Sequence, residues 1–160
     1  MNIRLARPAD VSAVAAILDD ATAFVRTLGF EQWPVPFPQE ELEGRIAHDE
    51  LYLVEVDGRI VGTFTLLWDD PFFWGERPPD AAYLHKVAVL REFAGRGIGA
   101  GAIEWIDDHV ANRGREFIRL DCQRDIPGIR RYYERLGFEL KGEKTRKHFA
   151  WALYERRVRR

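Results

Sequence analysis

The stretch "REFAGRGIGAGAIEWIDD" (residues 91–108) has glycine at four alternating positions, Gly95, Gly97, Gly99 and Gly101, directly before an amphipathic helical pattern. Glycine adopts positive φ at little steric cost and lets a backbone lie close to a ligand. Successive N–H groups at the start of a helix form a concave site for anions. The stretch therefore predicts a phosphate-binding turn, although several classes of phosphate-binding protein share such a turn.

The length and composition predict one folded domain over residues 1–160, with 31% charged and 46% hydrophobic residues. The net charge of −2 gives no electrostatic reason to expect nucleic acid or a membrane as a partner. The arginines of the tail, Arg156, Arg157, Arg159 and Arg160, are expected to be solvated. A single cysteine, Cys122, and the lack of a signal peptide or a long apolar run favour a cytoplasmic protein.

The hydrophobic pattern predicts alternating strands and helices. In chain order these are a strand in "NIRLA", a helix ending near Gly29, a helix over residues 39–48, a hairpin around Asp57 and Gly58, a loop "DDPFFWGERPPD", a strand over 81–90, a helix ending near Gly114, a strand over 117–123, a short helix in "PGIRRYYERLGF" and a last strand "WALYERR". This order predicts an α+β or α/β layered domain.

Two familiar phosphate-binding classes fit the glycine turn poorly. A Walker P-loop requires Lys followed by Ser or Thr after the last glycine, and residues 100–102 are Ala-Gly-Ala. A Rossmann dinucleotide site is supported by Gly97, Gly99 and Ala102, with Asp121 near the position of a ribose-binding acid. However, residues 90–94 separate the apolar strand from the glycines, and little chain follows Asp121 to complete a Rossmann sheet. A Rossmann oxidoreductase is therefore a disfavoured alternative.

Two motifs make the chain resemble the GCN5-related N-acetyltransferase (GNAT) superfamily over nearly its whole length. The signature Q/R-x-x-G-x-G/A corresponds to "AGRGIG" (residues 94–99), preceded by the strand "LHKVAV". A second motif, a helix resembling "lYeklGF", corresponds to "YYERLGF" (residues 132–138). The resemblance implies a mixed, mostly antiparallel sheet of about 6–7 strands flanked by about 4 helices. It also implies a splay between the strands over residues 83–90 and 117–123.

The resemblance further implies acetyl-CoA as cosubstrate. Pantetheine would lie along the strand at Val87, Ala88 and Val89, whose backbone groups can bond its amides, which are costly to bury unpaired. The residues implied to hold the pyrophosphate are Ala94, Gly95, Arg96, Gly97, Ile98, Gly99 and Ala100. Ala94 departs from the family's Gln or Arg, so Arg91 or Arg96 is a candidate for the missing positive charge.

Catalysis in the family requires stabilisation of an oxyanion and a proton for the leaving thiolate. By resemblance, Tyr133 protonates the CoA sulfur, while packing is the alternative role, and its neighbour Tyr132 is expected in the core. Tyr83 occupies the position of a carboxylate that often acts as the base. Strand alternation places His85 on the face of Tyr83, Val87 and Val89, and predicts His85 as the base. The alternative role of His85 is a structural hydrogen bond, in which case a water chain or an already neutral amine would serve.

The acceptor side combines aromatic residues with acids, as a cationic amine requires. The predicted substrate-binding residues are Trp33, Trp68 and Asp70, within a wider set that includes Phe37, Phe72, Phe73, Trp74, Glu31, Asp69 and Glu76. The alternative is that these residues are core aromatics and solvated acids. Cys122 is expected to be a small buried apolar residue and not a nucleophile.

The predicted function is therefore acetyl-CoA-dependent N-acetyl transfer to a primary amine of a small molecule or a protein. The alternative is a non-catalytic acyl-CoA-binding sensor on the same fold. No metal site, nucleic acid or membrane is expected, and a homodimer is left open.

Overall fold

The computed structural model describes residues 1–159. Its strands are β1 (Asn2–Leu5), β2 (Leu51–Val56), β3 (Arg59–Leu67), β4 (Ala81–Val89), β5 (Phe117–Gln123), β6 (Glu139–Arg146) and β7 (Phe149–Arg157). Its helices are α1 (Val11–Thr27), α2 (Gln39–Ala47), α3 (Pro71–Trp74), α4 (Ile98–Ala111) and α5 (Ile129–Arg135), with 3₁₀ turns at Pro8–Asp10 and Arg91–Phe93. The strands form one sheet in the order β1-β2-β3-β4-β5-β7-β6. The predicted fold class is confirmed.

The strand pairing is mostly antiparallel, with a parallel pair at β4 and β5. That pair runs from Ala81↔Phe117 to Leu84↔Leu120, and in the described chain it stops there although both strands continue. Two residues after Leu84, the backbone of Lys86 has a φ of +50°, a conformation that interrupts a regular strand. This short pairing is the predicted splay.

The first of two units in the chain consists of Met1–Leu66 and Lys86–Ile103. Its core joins the apolar faces of α1 and α2 to Leu51 and Leu53 of β2 and to Ala88 of β4. On α1, the predicted inward residues are all buried: Val11, Val14, Ala15 and Leu18. Their spacing of three and four residues keeps them on one face of a helix.

The second unit consists of Leu67–His85 and the chain from Glu104 onward. One of its clusters packs Trp74 of α3 against Ala81 and Tyr83 of β4 and Leu153 of β7. These side chains alternate along β4, as a strand with one face in a core requires.

The expectation of a fully solvated tail is wrong for Arg156. Its side chain is buried, and Nη2 lies 2.6 Å from both carboxylate oxygens of Asp107 on α4. A buried guanidinium needs such a partner because its charge is costly to desolvate. Arg157 and Arg159 are exposed as expected, and Arg160 lies outside the described residues.

Two elements differ from the sequence expectation. Strand β6 was not predicted, because its sequence "ELKGEKTR" is almost entirely polar and lies at the edge of the sheet. The predicted loop "DDPFFWGERPPD" contains the one-turn helix α3, where a carboxylate oxygen of Asp70 accepts a hydrogen bond from the Phe73 N–H at 3.3 Å. None of the described helices is both long and apolar enough to cross a bilayer.

Candidate active site

His85 lies between two aspartates within the second unit. Its Nε2 is 2.9 Å from Oδ2 of Asp70, and its Nδ1 is 2.9 Å from Oδ1 of Asp121. All three side chains are largely buried, with 13%, 7% and 14% of the surface of His85, Asp70 and Asp121 exposed. Within residues 1–159, Nε2 and the two facing carboxylate oxygens have no hydrogen bond of normal geometry. The atoms are therefore at ion-pair distance but poorly aligned with one another.

Local structure explains why these three residues meet. The parallel pairing of β4 and β5 ends at Leu84↔Leu120, so His85 and Asp121 are the next residues on adjacent strands. Asp70 is fixed as the N-cap of α3. The sequence alone suggests Asp121 only as a ribose-binding acid. Its proximity to His85 depends on the register of the parallel pair β4 and β5, which is not visible in the sequence.

The charges of this cluster determine the protonation of His85. Burial alone would lower the pKa of His85, but the short contacts with Asp121 and Asp70 outweigh burial and raise that pKa to about 9. His85 therefore carries a proton at neutral pH and must lose it before it can act as a base. The role of base stays a prediction.

Aromatic rings of the second unit cover the imidazole. The ring of Phe73 lies 5.8 Å from that of His85 and meets Trp151 edge to face at 5.2 Å. Phe72 packs against both Phe73 and Trp151, and the Lys144 ammonium lies 4.2 Å from the centre of its ring. The histidine and its carboxylates thus occupy a largely apolar environment, in which charge interactions are strong.

Tyr83, at the family's usual carboxylate position, has a structural role here. Its hydroxyl accepts a hydrogen bond from Nη1 of the buried Arg119 at 3.0 Å. Arg119 also bonds Asp80 and Glu155 at 2.9 and 2.7 Å. This network holds the start of β4 to β5 and β7.

The first part of the predicted row of side chains along β4 is present. Tyr83 and His85 share a face, since they contact the adjacent rings of Trp74 and Phe73. The positive φ of Lys86 then interrupts the regular strand, and the placement of Val87 and Val89 in the same row stays a prediction.

Two of the three predicted substrate-binding residues line one cavity. It has a volume of about 460 Å³ and is lined by residues 68–71 and 75–79 and by Tyr83, so it includes Trp68 and Asp70. Trp68 also stacks on His109 at 6.2 Å and lies under the Arg113 guanidinium at 5.2 Å. Trp33 is half-buried against the core of the first unit.

The glycine turn has the geometry of an anion site. Gly95 and Gly97 have φ values of +75° and +76°, and in the described chain no atom lies within 4 Å of a Cβ built on either. Helix α4 begins at Ile98, and its first intrahelical bond runs from the Gly101 N–H to the Gly97 carbonyl at 2.9 Å. The earlier N–H groups of the first turn have no partner inside the helix. The turn therefore fits a pyrophosphate.

The two arginines near the turn make local contacts. The Arg91 guanidinium lies 3.6 Å from the centre of the Phe24 ring, and its backbone N–H donates to Asp20 at 2.8 Å. Arg96 donates to the Glu92 carbonyl at 3.1 Å. Both remain candidates for the charge that Ala94 does not supply.

Tyr133 is buried on α5 and packs against the rings of Tyr132 and Phe138. Burial raises the pKa of its hydroxyl, which therefore keeps its proton, as a general acid must. Tyr132 is half-buried, so it lies only partly in the core where it was expected. Burial, and then the charge of Asp121, raises the pKa of Cys122 to about 12, which makes it a small buried thiol, as predicted.

Comparisons with known proteins agree with this fold. Residues 15–138 match the model of the Acetyltransferase (GNAT) family. The chain is similar to the uncharacterized N-acetyltransferase YesJ of Bacillus subtilis (strain 168), with 26% identity over 141 residues that cover 83% of this chain and 78% of YesJ.

Solved structures support the same fold. A GNAT-family acetyltransferase from Listeria monocytogenes 4b F2365 superposes with a TM-score of 0.79 at 26% identity, over 98% of this chain and 94% of that chain. A ribosomal-protein-alanine N-acetyltransferase from Brucella melitensis has a TM-score of 0.73 at 22% identity, over 99% of this chain and 100% of that chain. The second similarity concerns the fold alone.

Proposed function

Because this chain belongs to the GNAT acetyltransferase family and is therefore an acetyltransferase, we propose that it transfers an acetyl group from acetyl-CoA directly to a primary amine. The family typically uses acetyl-CoA as cosubstrate. The observation that carries the proposal is the buried cluster of His85 with Asp70 and Asp121. The acceptor is a small molecule or a protein with a free amino group.

Asp70 attracts the acceptor. With His85 protonated, the two carboxylates leave the cluster with one net negative charge, which favours an ammonium group in an environment of low polarity. Asp70 lines the cavity next to it, together with Trp68. The faces of Trp68, and of Trp33 in the first unit, offer cation–π contacts to the same class of ligand.

His85 removes the proton that the amine must lose. It acts in the fraction of molecules in which the imidazole has itself released its proton, and this fraction grows as the pH approaches its pKa of about 9. Asp121 is a positioning residue, because it holds Nδ1 and leaves Nε2 to face Asp70 and the acceptor. The amine nitrogen then forms a C–N bond as the thioester C–S bond breaks.

The donor side uses the glycine turn and β4. The N–H groups of residues 94–100 hold the pyrophosphate at the start of α4. Backbone groups of Val87, Ala88 and Val89 bond the pantetheine amides and polarise the thioester carbonyl. The Tyr133 hydroxyl donates a proton to the leaving thiolate.

Thiol release from acetyl-CoA in the presence of amines tests this function. The panel contains monoamines, diamines, amino acids and peptides with free N-termini, and the product is identified by mass. The wild-type chain and His148→Asn, which changes an exposed histidine, should acetylate the same amine. His85→Asn should lose about 10²-fold or more in kcat/KM. Equal activity of His85→Asn on that amine would contradict the proposed site.

A non-catalytic acyl-CoA sensor is not favoured, since the family and its N-acetyltransferase relatives support an enzyme. A cytoplasmic location and a homodimer stay predictions.

A further inference from the structure

The cluster of His85, Asp70 and Asp121 contains an unusual combination of short distances and poor alignment. One nitrogen of His85 and one carboxylate oxygen from each aspartate all lie within 4.8 Å of one another. Asp70 is only 8% exposed, and its Oδ2 lies 2.9 Å from Nε2 without a hydrogen bond of normal geometry in the described chain. A buried carboxylate oxygen without a well-aligned hydrogen bond is costly unless something else binds it.

Two ligands of one metal ion show the same arrangement. Each ligand directs its lone pair at the ion and not at the other ligand, so the two atoms are close but misaligned. With metal–ligand bonds of about 2.0–2.2 Å, two ligand atoms are about 2.9 Å apart at right angles, as in a five- or six-coordinate site, and about 3.4 Å apart in a tetrahedral site. The separation of Nε2 and Oδ2, 2.9 Å, matches the site of higher coordination number.

The contact of Asp121 with Nδ1 completes the pattern. Histidines that bind metals usually give their other ring N–H to a carboxylate, which fixes the ring and makes the ligand nitrogen more basic. Nδ1 of His85 lies 2.9 Å from Oδ1 of Asp121. The cavity of about 460 Å³ that Asp70 lines provides a path for entry.

We propose that Nε2 of His85 and Oδ2 of Asp70 bind a divalent transition-metal ion, with Asp121 orienting the imidazole and water filling the remaining positions. One imidazole and one carboxylate favour Zn²⁺ or a similar ion over Mg²⁺, which prefers oxygen ligands alone. Among the described residues, Cys122 is not part of the group of possible ligands, although it follows Asp121 in the sequence.

The ion also inhibits acetyl transfer, and this part of the inference rests on the proposed function. A dication on Nε2 blocks the nitrogen that accepts the proton of the amine. Its two positive charges also neutralise the two carboxylates, so the cluster no longer attracts an ammonium acceptor.

Zn²⁺ binding to the full chain, after dialysis against a chelator, is the direct test. Competition with a chromophoric chelator should reveal one Zn²⁺ per chain, with no competition from an equal concentration of Mg²⁺. His85→Asn and Asp70→Asn should each weaken binding by about 100-fold or more, and Asp121→Asn by about 10- to 100-fold. His148→Asn should bind as the wild type does. Wild-type affinity in both His85→Asn and Asp70→Asn would overturn the site.

A measurement on the wild-type protein covers the case in which a variant fails to fold. The chain has four histidines, and Zn²⁺ should shift the ¹⁵N signal of one imidazole, at Nε2. Shifts of several histidines, or of none, would overturn the site. If Zn²⁺ binds as expected but acetyl transfer continues at saturation, the metal site stands and the proposed place of the acceptor is wrong.

Discussion

At the scale of single residues, His85 makes folding depend on pH. Its pKa rises from 6.5 to about 9 in the folded chain, because the two aspartates outweigh the cost of burial. A raised pKa stabilises the protein fully below the unfolded value of 6.5, and this stabilisation is lost as the pH rises through 9. A shift of this size corresponds to roughly 3 kcal/mol.

We expect the free energy of unfolding to depend on pH differently in the wild type and in His85→Asn. Urea unfolding is measured at pH 6, 7.5 and 9. Between pH 6 and pH 9, the free energy of unfolding of the wild type should fall by roughly 3 kcal/mol more than that of His85→Asn. Because the other groups titrate in both proteins, their contribution cancels in this difference. His148→Asn should keep the wild-type pH dependence. Parallel curves for the wild type and His85→Asn would mean that the aspartates do not hold a proton on His85.

A second single-residue prediction concerns Tyr133 and the protonation of the leaving thiolate. Tyr133→Phe keeps the ring that packs against Phe138 but removes the proton donor for the thiolate. We expect kcat to fall by about 10²-fold while the KM for acetyl-CoA stays nearly constant. The loss should shrink for acyl donors whose thiol is more acidic, because such thiolates leave without a proton.

Steady-state kinetics with the identified amine measure this effect. The matched control is Tyr132→Phe, which removes the hydroxyl of the half-buried neighbour on the same helix and should leave kcat unchanged. A Tyr133→Phe enzyme with wild-type kcat, when chemistry limits the rate, would leave Tyr133 with a packing role only.

At the scale of elements, the pair of Asp107 and Arg156 ties α4 to β7. The two side chains are 5% and 6% exposed, and Arg156 also donates to the Leu136 carbonyl at 2.8 Å. Removing one partner leaves a buried charge without compensation. Asp107→Ala should therefore lower the free energy of unfolding by about 3–5 kcal/mol.

An exposed pair that includes the next residue of β7 provides the control. Arg157 and Glu116 are 68% and 52% exposed, so Glu116→Ala should cost less than about 1 kcal/mol. The double variant Asp107→Leu with Arg156→Met should recover part of the loss, since it removes both charges. Urea unfolding measures all four proteins, and equal effects of Asp107→Ala and Glu116→Ala would contradict a buried ion pair.

The elements also explain what could be predicted from the sequence. Strand β5 and the start of α4 follow from apolar runs and glycines, which are local signals. Strand β6 was missed because an edge strand can be polar on both faces. The partnership of His85 with Asp121 depends on the register of β4 and β5, and the burial of Arg156 depends on Asp107. Such contacts between distant residues leave no trace in local spacing.

At the scale of the whole molecule, β4 and α4 each contribute residues to both units. Residues 81–85 and 86–89 of β4, and residues 98–103 and 104–111 of α4, belong to different units. Unfolding of either unit would therefore disrupt β4 and α4, which also contribute residues to the other unit. We expect one cooperative unfolding transition, as the prediction of a single domain requires.

Coincident urea transitions, measured by tryptophan fluorescence and by far-ultraviolet circular dichroism, would support this expectation. Trp33 reports on the first unit. Trp68, Trp74, Trp105 and Trp151 belong to the second. Single-tryptophan proteins that retain only Trp33 or only Trp74 separate the two signals, and different midpoints for them would show two independently folding parts.

Ligand binding extends the argument to the stability of the whole chain. A ligand that binds only the folded state, at a concentration of 100 times its Kd, stabilises that state by about 2.7 kcal/mol. Acetyl-CoA should therefore raise the Tm of the wild type by several degrees.

Gly97→Val should abolish this increase, because a branched side chain fills the open space at the turn and disfavours the φ of +76°. Gly114→Val imposes a similar backbone conflict at a φ of +71°, outside the turn. Both variants should unfold at lower temperature than the wild type, but only Gly114→Val should still be stabilised by acetyl-CoA. Wild-type stabilisation of a folded Gly97→Val protein would show that the glycine turn does not hold the pyrophosphate.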